Sequence, residues 1–302
     1  MTNTSLAILS LLAVTACADP NRDNQLSAGL SGDSATGSTS GPGTNADTSA
    51  GTSSGTDPST KLDVGPPDTD GPLNLAEVFG HSADTLFRVD AETNEVEIVG
   101  DFAGCTASII DIALDANSKM YGTAYGSLWS IGRLTGECTK IADGSYPTSL
   151  SFVPAGTVDP DKEALVGFNE DEYLRIDTVT GEVEVLGTLT EGLRSSGDMV
   201  SIDGASWLTV TDLDACSEVD CIVEIDPATG AVITNYGPLP YNEVFGLAFW
   251  AGRAYGFSRG GELFEIQFLD GSVATTPIDI PVAPANLEFY GAGSTTSAPA
   301  AG

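Results

Sequence analysis

One pattern recurs five times between Leu73 and Tyr290, and it constrains the fold more than any other feature. It consists of an alternating apolar segment, an Ile-Asp or equivalent pair, a short turn ending in Gly or Asn, and a second apolar segment. The copies are Leu86–Asp90 with a turn at Asn94, Leu128–Gly132 with Gly136, Leu174–Asp177 with Gly181, Val223–Asp226 with Gly230, and Leu263–Gln267 with Gly271. Alternation with period two marks β-strands, and Gly or Asn supplies the positive φ that tight turns need, so each copy reads as a β-hairpin. An Asp that opens such a turn can accept backbone N–H groups two residues on.

Two further segments keep step with the hairpins. One contains Val78–Gly80, Met120–Gly122, Leu165–Gly167, Trp207–Leu208 and Ala254–Gly256. The other contains Asp111–Asp115, Ser149–Val153, Asp198–Ile202, Gly246–Trp250 and Asn286–Tyr290. Four strands recurring every 41 to 49 residues are the size of a propeller blade. The first copy lacks its first strand, and the C-terminus supplies a spare one, Asn286–Tyr290. The expectation is therefore an all-β, five-bladed β-propeller over residues 73–293, with four-stranded blades and the ring sealed by the C-terminal strand. Asp177-Thr-Val-Thr-Gly181 and Asp226-Pro-Ala-Thr-Gly230 resemble the "Ile-Asp-x-x-Thr-Gly" repeats of bacterial propellers, including YVTN-type surface propellers. That resemblance implies architecture rather than activity.

The N-terminal part reads as an address. Leu6–Ala16 is apolar or small, long enough for a signal-peptide core and too short to span a bilayer. Val14-Thr15-Ala16-Cys17 resembles the lipobox of bacterial lipoproteins, although Met1–Ser5 carries no Lys or Arg. The resemblance implies that residues 1–17 are a signal peptide with lipobox, that Cys17 is lipidated, and that Ala18 favours the outer membrane. Residues 18–72 are rich in Ser, Thr, Gly, Asp and Pro, without an aromatic residue. They read as a disordered tether that cannot bury enough apolar surface to offset chain entropy. Residues 294–302 have the same character and read as a flexible tail.

Charge narrows the partners. The chain has 43 acidic and 11 basic residues and a formal net charge of -32, which disfavours nucleic acid and leaves cations, proteins or glycans as ligands. Four cysteines remain besides Cys17, an even number that suits two disulfides in an exported protein. Cys216 and Cys221 are close enough to pair locally, which leaves Cys105 and Cys138; the other two pairings stay open.

No catalytic set emerges. His81 is the single histidine, and it reads as an ordinary strand or loop residue. The residues that open the five inner strands, Asp111, Ser149, Asp198, Gly246 and Asn286, should form a ring at the channel mouth. There they read either as a solvated lining or as a site for a cation such as Ca²⁺ or a polar ligand. The preferred function is a non-catalytic, envelope-anchored binding module built on a monomeric propeller. The alternatives are a cation-dependent lyase or hydrolase using the ring carboxylates, and a structural or adhesive display protein.

Overall fold

A computed structural model describes residues 77–202, 204–212 and 214–298. The signal peptide, Cys17 and the tether lie outside the described residues.

Twenty strands form five four-stranded antiparallel sheets arranged as blades. Blade one holds β1 (Glu77–His81), β2 (Thr85–Asp90) and β3 (Val96–Asp101). Blade two holds β4 (Ile109–Leu114), β5 (Met120–Ala124), β6 (Ser127–Ile131) and β7 (Cys138–Asp143). Blade three holds β8 (Ser151–Val153), β9 (Ala164–Asn169), β10 (Glu172–Ile176) and β11 (Val183–Thr188). Blade four holds β12 (Arg194–Ile202), β13 (Ala205–Thr211), β14 (Cys221–Ile225) and β15 (Val232–Pro238). Blade five holds β16 (Val244–Trp250), β17 (Arg253–Ser258), β18 (Leu263–Leu269) and β19 (Ser272–Ile278). The last strand, β20 (Gly291–Ser294), pairs with β1 and completes blade one, with His81 opposite Gly291. The chain's end closes the ring as the repeat arithmetic requires.

The closing strand is not the segment expected. Asn286 is exposed, has a φ of 57°, and belongs to the crossing that precedes β20. The apolar rhythm of Asn286–Tyr290 misled because Phe289 is indeed fully buried, but as an inter-blade plug. Its ring meets Phe87 of blade one and Phe257 of blade five edge to face. The expected flexible tail is also anchored over residues 295–298. Thr295 bridges to Leu114 and donates its hydroxyl to Asp115 O at 2.8 Å, Ser297 Oγ donates to Ala116 O at 2.9 Å, and Thr296 Oγ1 donates to Glu163.

The core is not one central mass but five layers, one at each blade junction, including the junction between blades five and one. Strand alternation explains this. Successive side chains point to opposite faces, so Val78 enters the layer against blade five while Phe79 enters the layer against blade two. Leu128 and Trp129 divide in the same way.

The repeated turn has two functions. Asp90 Oδ1 accepts the Glu92 and Thr93 amides, Asp177 Oδ1 those of Val179 and Thr180, and Asp226 Oδ1 that of Ala228, which pulls each carboxyl below its ordinary range in Asp90 and Asp177. The glycine then meets the preceding blade. A Cβ on Gly230, at φ 74°, would lie 2.6 Å from Tyr173, whose hydroxyl donates to Pro227 O in the same turn. The Thr-Gly signature thus docks blades as well as turning the chain.

The disulfides are Cys105–Cys138 and Cys216–Cys221, resolving the pairing that the sequence left open. The first ties the entry of blade two to its outer strand, and the second closes the insertion ahead of β14.

Candidate ligand site in the central channel

The inner strands β4, β8, β12, β16 and β20 are the channel-facing edges of their sheets, so they present unpaired backbone groups to the axis. At one level these groups converge on two carboxyls. Asp111 Oδ1 accepts the Ile112 amide at 2.9 Å, and Oδ2 accepts that of Leu150 at 2.7 Å. Asp198 Oδ1 accepts Met199 N–H at 2.5 Å, Oδ2 accepts Leu247 N–H at 2.6 Å, and the Ala292 amide bonds to the same carboxyl. One N–H from each of the five blades therefore ends on this pair. The Asp111 and Asp198 side chains also hydrogen-bond to each other.

Both aspartates are buried, at 1% and 0% exposure, rather than forming the solvated lining the sequence suggested. Burial raises Asp111 well above the ordinary carboxyl range, reinforced by repulsion from Asp198. Burial likewise pushes Asp198 up to about 8, while its hydrogen bonds to Asp111 and to the amides hold it down. Both carboxyls therefore hold their protons to higher pH than an ordinary aspartate, with backbone amides from all five blades as their donors.

The remaining ring positions are placed as follows. Ser149 is buried and its Oγ accepts Phe168 N–H at 2.9 Å, so it secures β9 within its own blade. Gly246 occupies its ring position, and Gly291, not Asn286, occupies the fifth. Asn286 is excluded from the ring by the displaced closing strand.

His81, read from the sequence as an ordinary strand or loop residue, ends β1 beside the pair. It is fully buried, and its Nδ1 donates to Ser82 O at 2.7 Å, which leaves the lone pair on Nε2. Desolvation lowers its pKa to about 4, so the imidazole is neutral. A Cβ on Gly291 would stand 2.3 Å from His81 Nε2 and 2.5 Å from Asp111 Oδ1, so glycine is required for this approach. Only the absence of other histidines drew attention to His81 in the sequence; its burial depends on where β20 returns. Among the described residues no group of three His, Cys, Asp or Glu side chains is placed to hold a metal ion.

On one side of the pair lies a cavity of about 270 Å³ on the channel axis. Its floor is made by Ile112, Leu150, Met199, Leu247 and Ala292, the five donors that bind the pair. Higher up it is bordered by Ser151, Ser201, Ser294, Thr295 and Thr296, with Glu163 its one charged lining residue. The segment after β20 forms the roof. It leaves blade one, bonds to blade two at Asp115 and Ala116 and to blade three at Glu163, and ends with Ala298 packed on the layer between blades four and five.

These features define a five-bladed propeller whose channel is blocked by an internal acid pair and holds a roofed cavity. No family model and no curated protein matches the chain. Solved structures that align with the chain include Kuenenia stuttgartiensis hydrazine synthase, at 14% identity and a TM-score of 0.40, covering 68% of this chain and 63% of that one. A chain of a nidogen/laminin complex aligns at 14% identity and a TM-score of 0.45, covering 74% of this chain and 99% of that one. Neither likeness carries a functional argument.

Proposed function

We propose that this protein is a lipid-anchored cell-envelope binding module, non-catalytic, that holds a small ligand in the roofed channel cavity. The observation that carries the reading is the cavity itself: all five blades contribute to it, and it combines an apolar floor with hydroxyl-bearing walls, the usual composition of a small-molecule site. The neighbouring carboxyls favour binding over catalysis. Their oxygens are already occupied by backbone amides, so their first role is to hold the inner strands together.

The anchor follows from Cys17 at the end of the apolar Leu6–Ala16 run, with 18–72 as the tether that lets the propeller stand off the membrane. Outer-membrane placement is part of this reading, and a protein or glycan surface is the expected setting of its ligand.

Two experiments test it. Native mass spectrometry of the full chain, isolated from its own envelope, should detect a retained small molecule, and Ser201→Phe, which enlarges a lining residue between blades three and four, should remove it. A chain without retained ligand that also gains no stability from envelope small-molecule extracts refutes the channel reading. Labelling with a fatty-acid analogue should mark the wild-type protein and not Cys17→Ala; equal labelling refutes the anchor.

A further inference from the structure

Resting on the channel reading above, we infer that the cavity selects a neutral polyhydroxyl molecule of monosaccharide or cyclitol size. Three features of the cavity lead to this class.

The first is the backbone. In a strand, a residue's N–H and C=O point to the same side, and alternate residues share that side. Ile112, Leu150, Met199 and Leu247 direct their amides to the axis, as the aspartate bonds show. Leu114, Phe152, Ser201, Phe249 and Ser294 stand two residues further on, so their backbone edges face the cavity. Two contacts agree with that direction: Phe249 N–H donates to Ser294 Oγ at 2.9 Å, and Leu114 bridges to Thr295. The edges of Phe249 and Leu114 are thus already met by Ser294 and Thr295, while those of Phe152 and Ser201 leave backbone donors and acceptors facing the cavity. A hydroxyl, which both donates and accepts, complements such groups, whereas a purely apolar guest would leave them without partners.

The second is charge. Glu163 at the rim accepts the Ala116 amide at 2.8 Å together with the Thr296 hydroxyl, both bonds that suit a carboxylate, and the carboxyl oxygens beneath the floor are taken up by backbone amides. The lining contains no Lys or Arg. An anionic guest would find no basic side chain to pair with and would face Glu163.

The third is size and access. At about 270 Å³ the cavity lies just under the lower end of drug-sized pockets, about 300 Å³. Its border is in part a short strap, residues 295–298, held to Asp115, Ala116 and Glu163 by hydroxyl bonds.

Thermal unfolding of the full chain under oxidising conditions tests the inference. Probes are neutral hexoses and pentoses, myo-inositol, glucuronate as the anionic analogue, and indole as an apolar guest of similar size. At least one neutral polyol should raise the midpoint saturably by mass action, with glucuronate at least tenfold weaker and indole without effect. Ser201→Phe should weaken the polyol at least tenfold. Thr296→Trp, which blocks the cavity from the strap rather than from a blade, serves where Ser201→Phe disturbs folding. A response to indole but not to polyols overturns the polyol class and leaves the channel reading standing. No response to any probe overturns the polyol inference, and coupled with no retained molecule in native mass spectrometry it removes the channel reading as well. A polyol response equal in wild type and both variants places the binding elsewhere and overturns the inference.

Discussion

The carboxyls of Asp111 and Asp198 are hydrogen-bonded to each other on the propeller axis, although 87 residues separate them in the chain. Blade two contributes one and blade four the other. Between them they accept an amide from every blade, so the ring is held at its centre by one pair of carboxyls.

Truncating either member should therefore be costly. Asp111→Ala strands the Ile112 and Leu150 amides, each orphaned buried donor costing about 1–3 kcal/mol, and leaves Asp198 without its partner. Urea unfolding should show a loss of about 3 kcal/mol or more. A change within experimental scatter would mean the pair is dispensable.

The same pair sets an alkaline limit. A carboxyl raised in the folded state binds its proton more tightly there than in the unfolded chain. Its contribution is complete below the ordinary value of 3.8 and is lost as pH rises through about 8 for Asp198. Melting temperature should fall across that window, and Asp198→Asn should flatten the fall. His81 works on the acid side. Its folded pKa of about 4 lies below 6.5, so its contribution is present above 6.5 and lost as pH falls through about 4, about 3 kcal/mol in all. Stability that rose steadily from pH 5 to 9 would contradict the Asp198 assignment, and an Asp198→Asn variant that lost no stability between pH 6.5 and 4 would contradict that of His81.

The repeat glycines should divide by what they face. Gly187→Ala would place a Cβ 2.1 Å from Thr229 O of the next blade, a backbone atom that cannot give way, and should lower stability by about 2 kcal/mol or more. Gly126→Ala meets nothing within 4 Å and carries only the cost of its φ of 89°, about 1 kcal/mol. Equal losses, measured by denaturant titration, would mean that blade docking at Gly187 is loose.

Loss of the two disulfides should also be unequal. Loop closure over 33 residues, Cys105 to Cys138, is worth about 3.5 kcal/mol, against about 2 kcal/mol for the 5-residue separation of Cys216 and Cys221. Paired Ser substitutions compared by thermal melt would reverse this order only if the short loop carried native contacts beyond its cross-link.

Much of this architecture was present in one dimension. Four strands per repeat, the missing first strand and the turn residues at Asn94, Gly136, Gly181 and Gly230 are local matters of alternation and positive φ, which a sequence records directly. The adjacency of Cys216 and Cys221 is of the same kind. The position of the closing strand was harder to read. Asn286–Tyr290 carries the apolar alternation, but Gly291–Ser294 makes the ladder, because a Cβ at position 291 would meet His81 and Asp111 and Phe289 packs between blades.

By itself, then, the sequence determined the repeat, the blade count and the residues at ring positions Asp111, Ser149 and Asp198. Only the tertiary structure decided that two of these carboxyls meet, that His81 lies beside them against Gly291, and that the chain's end roofs a cavity. The physical reason is closure. Bringing five sheet edges onto one axis leaves five amides needing acceptors away from water, and which distant side chains satisfy them is fixed only once the ring is complete.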